Sequence, residues 1–383
     1  MLLMISAFGS GCDALGYNIW TGEILEQTED LEELTSEDAV ESEVKEESVS
    51  SEQDAVIELE LPVLPSVTED DLIILKDPGF YSYDNLENDI QILQQLYGEL
   101  VSVSSLATTL DGRNVYCMVI GDPQADTKLF FNGGIHGREY MTCQLVMKQA
   151  AVFLHKLYEN DVYSQMDYQT MMNGVAIYVV PMINPDGVTI SQYGMDGILK
   201  ESTKQRVAEV ASLDGEVAKN GYYLTRWKAN ANGVDINRNF DALWESYEGV
   251  GHPSSDHYKG ESIGCEPESE ALIKLTEENT FDRTISYHTQ GSVIYWYFGQ
   301  EGELYDKTLE FANCISNLTG YPTDANYEYL DPAGYKDWGI HKLGIPGLTV
   351  EIGTETSPVP ADQFAGIWER NQFVWEETIC NVK

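Results

Sequence analysis

His136 and Glu139 are the residues whose types and spacing could most directly do chemistry. They stand three residues apart in the stretch FFNGGIHGRE, where an imidazole and a carboxylate can bind the same divalent metal ion. Two histidines and one carboxylate form the donor set of many catalytic zinc sites, which leave a fourth position open. His288, in the stretch SYHTQG, is the candidate for the second histidine. The HxxE pair alone is a weak signal, because most such pairs serve only in a turn.

The residues around this pair predict a strand that turns into a helix. Residues 128–131 are a short apolar run of strand type, and the glycine pair at 133–134 interrupts it. Residues 140–158 carry apolar side chains at the spacing of an amphipathic helix. The sequence therefore places both candidate ligands at a strand-to-helix turn, a frequent location for functional residues.

Four later segments carry further candidate residues. Residues 175–181 (VAIYVVP) predict a buried strand that runs into the polar turn NPDG. Residues 227–240 (WKANANGVDINRNF) combine cations and amides with little apolar periodicity, a composition that suits anion binding. His288 interrupts a strand-like pattern, and Glu351 lies in the middle of a short apolar strand, GLTVEIG. A carboxylate in a buried strand needs a partner or a catalytic role.

The order of these elements predicts one large α/β domain from about residue 76 to residue 383. A mixed sheet with helices on both faces is expected, because short apolar strands alternate with amphipathic helices. The predicted strands are residues 114–120, 128–131, 175–180, 284–287, 293–297 and 348–352, and the predicted helices are residues 84–100 and 140–158. Residues 194–226 form a mostly polar insertion, which either borders the site or is a surface excursion.

Five of these features, in this order, resemble the zinc carboxypeptidase (M14 metallocarboxypeptidase) family. They are HxxE, NPDG, DxNRNF, the later histidine and the strand glutamate, and the resemblance runs from about Tyr83 to the end of the chain. Any one motif is weak, whereas five in the family's order are specific. The resemblance implies a mixed, mostly eight-stranded twisted sheet with helices on both faces. It also implies a zinc metallopeptidase of the metallocarboxypeptidase type that binds one zinc ion.

The family's catalytic residues match definite positions of this sequence. His136, Glu139 and His288 match the three zinc ligands. Glu351 matches the general base, which takes a proton from the attacking water and later passes it to the leaving amine. The resemblance therefore implies that all the parts of a hydrolytic site are present.

Three further residues match those that bind substrate in the family. Asn237 and Arg238 match the pair that holds the free carboxylate of the substrate, for which a planar guanidinium is suited. Tyr329, eight residues before Asp337, matches the mobile tyrosine that closes over bound substrate. The resemblance therefore implies a substrate with a carboxylate near the bond that is cleaved.

Lys228 and Lys336 depart from the pattern of the family's digestive members. Lys228 stands where many relatives carry an arginine that polarises the scissile carbonyl; Arg226 is the competing candidate, and a surface role for Lys228 is equally open. Lys336 occupies the position at the base of the side-chain pocket, which is apolar or acidic in those enzymes. A cation there would repel basic residues and pair with a second carboxylate on the substrate's leaving residue.

The expected substrate follows from this charge and from three segments. SYHTQG, AGYKDW and PGLTVEIG resemble the bacterial branch of the family that cleaves γ-D-glutamyl-meso-diaminopimelate bonds of cell-wall peptides. We therefore expect hydrolysis of an amide bond next to a carboxylate-bearing residue, with a peptide or muropeptide as substrate. A conventional metallocarboxypeptidase that removes C-terminal residues stays open, as does a non-catalytic peptide- or wall-binding module. Glu351 beside three metal ligands disfavours the module, which has no need of a base.

The acidic residues are densest before the motifs begin. Of the 64 acidic residues in the 383-residue chain, 20 lie in residues 1–75, together with one base, Lys45. Residues 13–75 are therefore expected to be an acidic, disordered linker. A formal net charge of −42 argues against nucleic acid as a partner. A monomer is expected.

Residues 1–12 are apolar, then small, and end in Cys12. They suit either a truncated signal sequence with Cys12 as a lipid-attachment site or an ordinary apolar N-terminus. The first alternative predicts an exported bacterial protein of the cell envelope or the extracellular medium, attached to a membrane only through that lipid. The segment is too short to span a bilayer. The spacing of the six cysteines leaves their pairing open.

Overall fold

A mixed eight-stranded sheet forms the centre of the described part of the protein. The computed structural model describes residues 67–77 and 79–383. The strands, in chain order, are β1 (Val101–Thr108), β2 (Asn114–Gly121), β3 (Thr127–Asn132), β4 (Val162–Tyr163), β5 (Met166–Asp167), β6 (Val175–Val180), β7 (Arg283–Thr289), β8 (Val293–Tyr295), β9 (Thr323–Asp324) and β10 (Gly347–Ile352). β4 and β5 form a separate two-stranded hairpin.

Helices cover both faces of the sheet. They are α1 (Tyr83–Tyr97), α2 (Met141–Glu159), α3 (Tyr168–Met172), α4 (Pro185–Tyr193), α5 (Glu201–Asp214), α6 (Pro267–Asn279), α7 (Gly302–Thr319), α8 (Tyr335–Leu343), α9 (Phe364–Asn371) and α10 (Val374–Val382). One apolar cluster includes side chains of α1, α2, α7, α9 and α10, and a second includes side chains of α6 and α8. The predicted mixed α/β architecture is therefore confirmed.

The order of strands across the sheet is β1-β2-β6-β3-β7-β10-β8-β9. The four central strands, β6, β3, β7 and β10, run parallel to their neighbours within this group, whereas β1 with β2, β2 with β6, and β8 with β10 are antiparallel. The carboxyl ends of the parallel strands therefore meet at one edge of the sheet. Ligand sites of open α/β sheets lie outside this edge.

Alternation along the central strands decides which side chains face the core and which face the site. In β3, Leu129 and Phe131 belong to the first apolar cluster and Phe130 to the second. Tyr287 of β7 and Val350 of β10 also belong to the first cluster. Because successive side chains point to opposite faces of a strand, the neighbouring polar residues of β7 and β10 lie on the other face.

Four strands and one strand end differ from the expectations of the sequence. The strands β1, β4, β5 and β9 were not expected: β1 has a polar face of serines and threonine, and the other three contain only two residues each. The strand expected over residues 293–297 ends at Tyr295. NPDG is also more than a turn: Asn184 caps α4 by accepting a hydrogen bond from the Gly187 N–H at 2.8 Å, and proline occupies the first turn.

Residues 67–75 pack against the domain, although the sequence places them in the acidic linker. Leu72 and Ile74 are buried, and Asp89 of α1 accepts hydrogen bonds from the backbone N–H groups of Ile73 and Ile74, both at 2.8 Å. Part of the expected linker therefore belongs to the folded domain. The remainder of that segment and the expected signal or lipid-attachment segment at residues 1–12 lie outside the described residues.

The insertion at residues 194–226 has a small apolar core of its own. Val207 and Val210 of α5 pack with Tyr223 around Trp227, which directly precedes Lys228. None of the residues that line the site cavity belongs to the insertion. The insertion therefore packs against the segment that carries Lys228 and does not form a wall of the cavity.

Within residues 67–77 and 79–383, no helix combines the length and apolarity needed to cross a membrane. The five cysteines in these ranges are free thiols in the structure, and Cys117 and Cys143 are buried.

Glu268, in the first turn of α6, makes the stability of the fold depend on pH. Its side chain is buried and accepts a hydrogen bond from Asn230 at 3.2 Å. Burial, together with the nearby Glu266 and Asp186, raises the pKa of Glu268 from 4.5 to about 8. The folded protein thus holds this proton more tightly than the unfolded chain, so stability falls as pH rises from about 4.5 to about 8.

Glu268→Gln is therefore expected to leave stability nearly unchanged at about pH 5 and to raise the free energy of unfolding by at least about 1 kcal/mol at about pH 8.5. Urea unfolding at the two pH values measures this difference. Glu270→Gln removes an exposed acid of the same helix and is the matched control. An equal gain at both pH values for Glu268→Gln would contradict the assignment.

Candidate active site

Three side chains converge at the carboxyl edge of the parallel strands. His136 follows β3 and directly precedes a single 3-10 turn that ends at Glu139, and His288 lies in β7. The Nδ1 atoms of the two histidines are 3.2 Å apart, and Glu139 places one oxygen 2.9 Å from His136 Nδ1 and the other 3.2 Å from His288 Nδ1. All three residues are buried. The structure thus brings together the three residues predicted as metal ligands.

The NPDG motif holds the turn that carries His136. The Asn184 side-chain amide donates hydrogen bonds to the carbonyl oxygens of Ile135, at 3.2 Å, and Ala229, at 3.0 Å. A Cβ atom added to Gly137 would lie only 2.4 Å from the carbonyl oxygen of Gly187. The two turns therefore pack with their backbones in close approach, which requires glycine.

Asp235 is a site residue that the sequence did not single out. It is fully buried, with one oxygen 3.2 Å from His136 Nε2 and the other 3.0 Å from Lys228 Nζ. Burial alone would raise its pKa, but Lys228 and His136 outweigh burial and hold the pKa of Asp235 well below its ordinary value. Its place in DxNRNF was the available signal, since a buried acid needs a partner.

Lys228 faces the site, whereas Arg226 does not. The Lys228 ammonium is buried between Asp235 at 3.0 Å and Asp256 at 3.3 Å, and it lines the site cavity. Burial alone would lower its pKa, but the two acids raise the pKa of Lys228 above its ordinary value. The side chain of Arg226 is exposed and does not line the cavity. Of the two candidates, Lys228 is therefore the one placed to offer positive charge to a developing oxyanion.

Glu351 pairs in register with His288 across the parallel strands β10 and β7. Its Oε2 atom is shielded from solvent and has no hydrogen-bond partner among the described residues. Burial raises the pKa of Glu351 to about 7, and the effects of His288 and Lys228 only partly oppose the rise. A carboxyl group with such a pKa can both accept and return a proton near neutral pH.

A cavity of about 520 Å³ opens beside these residues. Its walls include all of the residues predicted to bind substrate, which are Asn237, Arg238, Tyr329 and Lys336. Tyr329 is 60% exposed, a position from which a side chain can move over an occupant. Three acids that the sequence did not single out, Asp324, Asp331 and Asp337, also line the cavity.

Asn237 and Arg238 are held by different parts of the cavity wall. The Asn237 side-chain oxygen accepts a hydrogen bond from the backbone N–H of Tyr335 at 2.9 Å, which ties it to the start of α8. The Arg238 guanidinium is 5.1 Å from the centre of the Tyr247 ring and 2.8 Å from Asp331. The pair predicted to bind a carboxylate is thus in place, and its cation already has an acidic neighbour.

Lys336 also forms an ion pair, which the sequence analysis did not predict. Its ammonium bonds to the carboxylate of Asp337 and lies 5.7 Å from the centre of the Phe298 ring. Both charged residues stand in the first turn of α8 and are largely buried. This part of the cavity therefore carries a cation and an acid side by side.

The residues present fit a zinc ion. Two imidazole nitrogens and one carboxylate converge within 4.8 Å, and His136 turns its other ring nitrogen to the Asp235 carboxylate. A carboxylate at that nitrogen fixes the proton there and leaves Nδ1 free as a ligand. His136 and His288 also lower the pKa of Glu139, against the opposing effect of burial. His136, Glu139 and His288 would therefore hold the metal, which supplies Lewis-acid chemistry when bound.

Comparison with known proteins identifies the family. The zinc carboxypeptidase family model (peptidase M14) matches residues 86–374. The chain is 31% identical over 296 residues to uncharacterized protein YqgT of Bacillus subtilis, which covers 77% of this chain and 76% of the relative. It is 30% identical over 293 residues to gamma-D-glutamyl-L-diamino acid endopeptidase 1 of Lysinibacillus sphaericus, covering 76% of this chain and 69% of the relative.

Solved structures show the same fold at low sequence identity. Bovine thrombin-activatable fibrinolysis inhibitor matches with a TM-score of 0.61 and 16% identity, covering 80% of this chain and 98% of that chain. Carboxypeptidase A from Helicoverpa armigera matches with a TM-score of 0.58 and 18% identity, covering 79% of this chain and 74% of that chain. The family predicted from the five ordered motifs is confirmed. This chain belongs to the zinc carboxypeptidase family and is a zinc metallopeptidase of the metallocarboxypeptidase type.

Proposed function

We propose that this protein hydrolyses the amide bond between the γ-carboxyl of D-glutamate and diaminopimelate in cell-wall peptides, with one zinc ion bound by His136, Glu139 and His288. The observation that supports diaminopimelate as the leaving residue is the ion pair Lys336–Asp337 in the cavity wall. Support also comes from the relative named gamma-D-glutamyl-L-diamino acid endopeptidase 1, which is 30% identical to this chain.

The mixed charge of the cavity suits one end of diaminopimelate. The distal end of this residue carries both an amino group and a carboxyl group. Lys336 can receive the carboxylate and Asp337 the ammonium, each through a charge-assisted hydrogen bond. A lysine or arginine side chain of an ordinary peptide would offer only the positive charge and would face Lys336 unfavourably. The pair therefore favours a zwitterionic side chain over a purely basic one.

The residues around the metal site divide the work of hydrolysis. Lys228, fixed between Asp235 and Asp256, supplies positive charge where the carbonyl oxygen becomes negative. Glu351 accepts a proton from water and returns it to the leaving amine. Arg238 provides a guanidinium for a carboxylate on the leaving residue, and Tyr329 closes the mouth of the cavity over it.

The proposal implies that the protein works outside the cytoplasm. We propose an exported bacterial protein, an envelope or extracellular enzyme, because the intact cell wall lies in the envelope. The composition of residues 1–75 is compatible with an acidic leader between an export signal and the catalytic domain. We propose that Cys12, if it is lipidated, provides the membrane attachment.

A peptide panel tests the proposed substrate. The zinc-loaded protein is incubated with L-Ala-γ-D-Glu-meso-diaminopimelate, with the same tripeptide carrying L-lysine in place of diaminopimelate, and with ordinary peptides. We expect free diaminopimelate as a product, identified by mass, and at least ~10-fold slower cleavage of the lysine analogue, which lacks the distal carboxylate. C-terminal trimming of ordinary peptides without cleavage of the γ-D-glutamyl bond would refute the proposal and favour a conventional metallocarboxypeptidase.

Two variants of α8 make the role of Lys336 specific. Lys336→Met keeps most of the side-chain volume and removes the charge, so it should slow cleavage of the diaminopimelate peptide more than that of the lysine analogue. Lys342→Met removes an exposed lysine of the same helix and is the matched control. An equal effect of Lys336→Met on both peptides would remove Lys336 from substrate recognition.

A further inference from the structure

Arg238 is occupied by a carboxylate of the chain itself. Its Nη2 atom is 2.8 Å from an oxygen of Asp331, and its Nη1 atom donates to the carbonyl oxygen of Asn237 at 2.8 Å. Its Nε atom is buried and has no hydrogen-bond partner among the described residues. The face of the guanidinium lies against the ring of Tyr247, 5.1 Å from its centre. Nη1 and Nη2 therefore each donate one hydrogen bond within the chain before any substrate arrives.

The loop that carries Asp331 is fastened to the segment that follows Arg238. The Ala333 N–H donates to the carbonyl oxygen of Ala242 at 2.7 Å, and the Phe240 N–H donates to the carbonyl oxygen of Ala333 at 3.2 Å. These bonds hold the loop beside the guanidinium, although the Asp331 side chain is itself 61% exposed. The backbone two residues after Asp331 is thus tied to the segment that follows Arg238, which keeps the Asp331 carboxylate within reach of the guanidinium.

The pairing limits what Arg238 can offer a substrate. An arginine holds a carboxylate most firmly through two parallel N–H groups. Because Nη2 already donates to Asp331 and Nη1 to a carbonyl oxygen, a substrate carboxylate has to share the guanidinium with Asp331 or displace it. The negative charge of Asp331 also cancels much of the attraction of the guanidinium for a second anion at close range. A peptide whose carboxyl is already in an amide bond has no such disadvantage.

We propose that Asp331 is a specificity-determining residue that competes with the substrate carboxylate for Arg238, so that the enzyme accepts leaving residues whose α-carboxyl is joined in a further amide bond. The inference rests on the proposed role of Arg238 in binding the leaving residue. It identifies the substrate class as peptides that continue beyond the leaving residue as well as peptides that end there. Action within a peptide and action at its end would then differ little in rate.

Asp331→Asn tests this competition, because it keeps the shape of the side chain and removes the charge. The rate constant kcat/KM is measured for pairs of peptides that differ only in a C-terminal carboxylate or a C-terminal amide. One pair is the diaminopimelate tripeptide, and the other is an N-acetylated ordinary dipeptide. We expect the preference for the free carboxylate to rise by about 10- to 100-fold, mainly through KM, because a charge-assisted hydrogen bond becomes available.

A control variant and a binding measurement complete the test. Asp324→Asn removes an acid from the same cavity that is not paired with Arg238, and it should change the preference much less. Calorimetric binding of the N-acetylated dipeptide and its amide to zinc-free protein should show the same change without turnover. An unchanged preference in Asp331→Asn, or an equal change in Asp324→Asn, would overturn the inference. A changed preference on the ordinary dipeptide without cleavage of the γ-D-glutamyl bond would reject the proposed function alone.

Discussion

Replacing Glu351 by glutamine is expected to lower turnover by about 10²- to 10⁴-fold while zinc binding persists. The substitution keeps the shape of the side chain but removes its ability to accept a proton. Glu351 is not one of the three residues that converge as ligands, and its Oε2 atom makes no hydrogen bond among the described residues that glutamine would break. Single-turnover hydrolysis and the zinc content of the purified variant measure the two parts of the expectation.

Glu355→Gln is the matched control for this variant, because it replaces an exposed glutamate shortly after the same strand. It should turn over at close to the rate of the unsubstituted protein. If Glu351→Gln retained full turnover, Glu351 would not be the base. Loss of zinc from that variant would instead show that the carboxylate also supports the metal.

Replacing His288 by alanine is expected to lower the affinity for zinc by more than about 100-fold, since even residues that only orient a metal ligand contribute about 10- to 100-fold. Turnover should be lost with the metal. The fold should survive, because β7 is fixed on both sides by β3 and β10 and the alanine can occupy the same strand position. Zinc content after dialysis against a chelator and circular dichroism measure the two effects.

His341→Ala serves as the control for His288→Ala, because His341 is exposed on α8 and does not line the cavity. It should retain one zinc ion per chain. One zinc ion per chain in His288→Ala would exclude His288 as a ligand. An unfolded His288→Ala variant would be uninformative about the metal, so His288→Asn, which keeps a polar side chain in the strand, is measured beside it.

The cavity is less cationic than its basic residues suggest. Lys228, Arg238 and Lys336 each have a carboxylate within ion-pair distance. Ion pairs of this kind fix the positions of the cations and reduce their attraction for additional anions. Substrate choice in this protein is therefore expected to depend on matched pairs of charges. This is the shared reason for proposing a zwitterionic side chain at Lys336 and an intramolecular competitor at Arg238.

The sequence was sufficient to predict the fold class and to find the residues that converge at the site. Strongly apolar segments such as 128–131 and 175–180 became central strands, because burial on both faces of a sheet demands continuous hydrophobicity. The polar edge strand β1 was missed, since an edge strand can be stable with one solvated face. Ionisable side chains in buried segments often mark functional sites, so the sequence could identify His136, Glu139, His288 and Glu351 as candidates.

By itself, the sequence determined the type of site: an imidazole and carboxylate donor set, a strand carboxylate and an Asn-Arg pair in the order of the family. Only the tertiary structure decided which carboxylate neighbours each cationic side chain. Arg238 and Asp331 are 93 residues apart in the chain and 2.8 Å apart in space, and Asp235, from the same segment as Lys228, also contacts the distant His136. A charge acts on whatever lies within a few ångströms of it, and sequence order does not specify those neighbours. Short segments of the sequence thus identify the residue types that do the chemistry, whereas the fold sets which charges surround each of them.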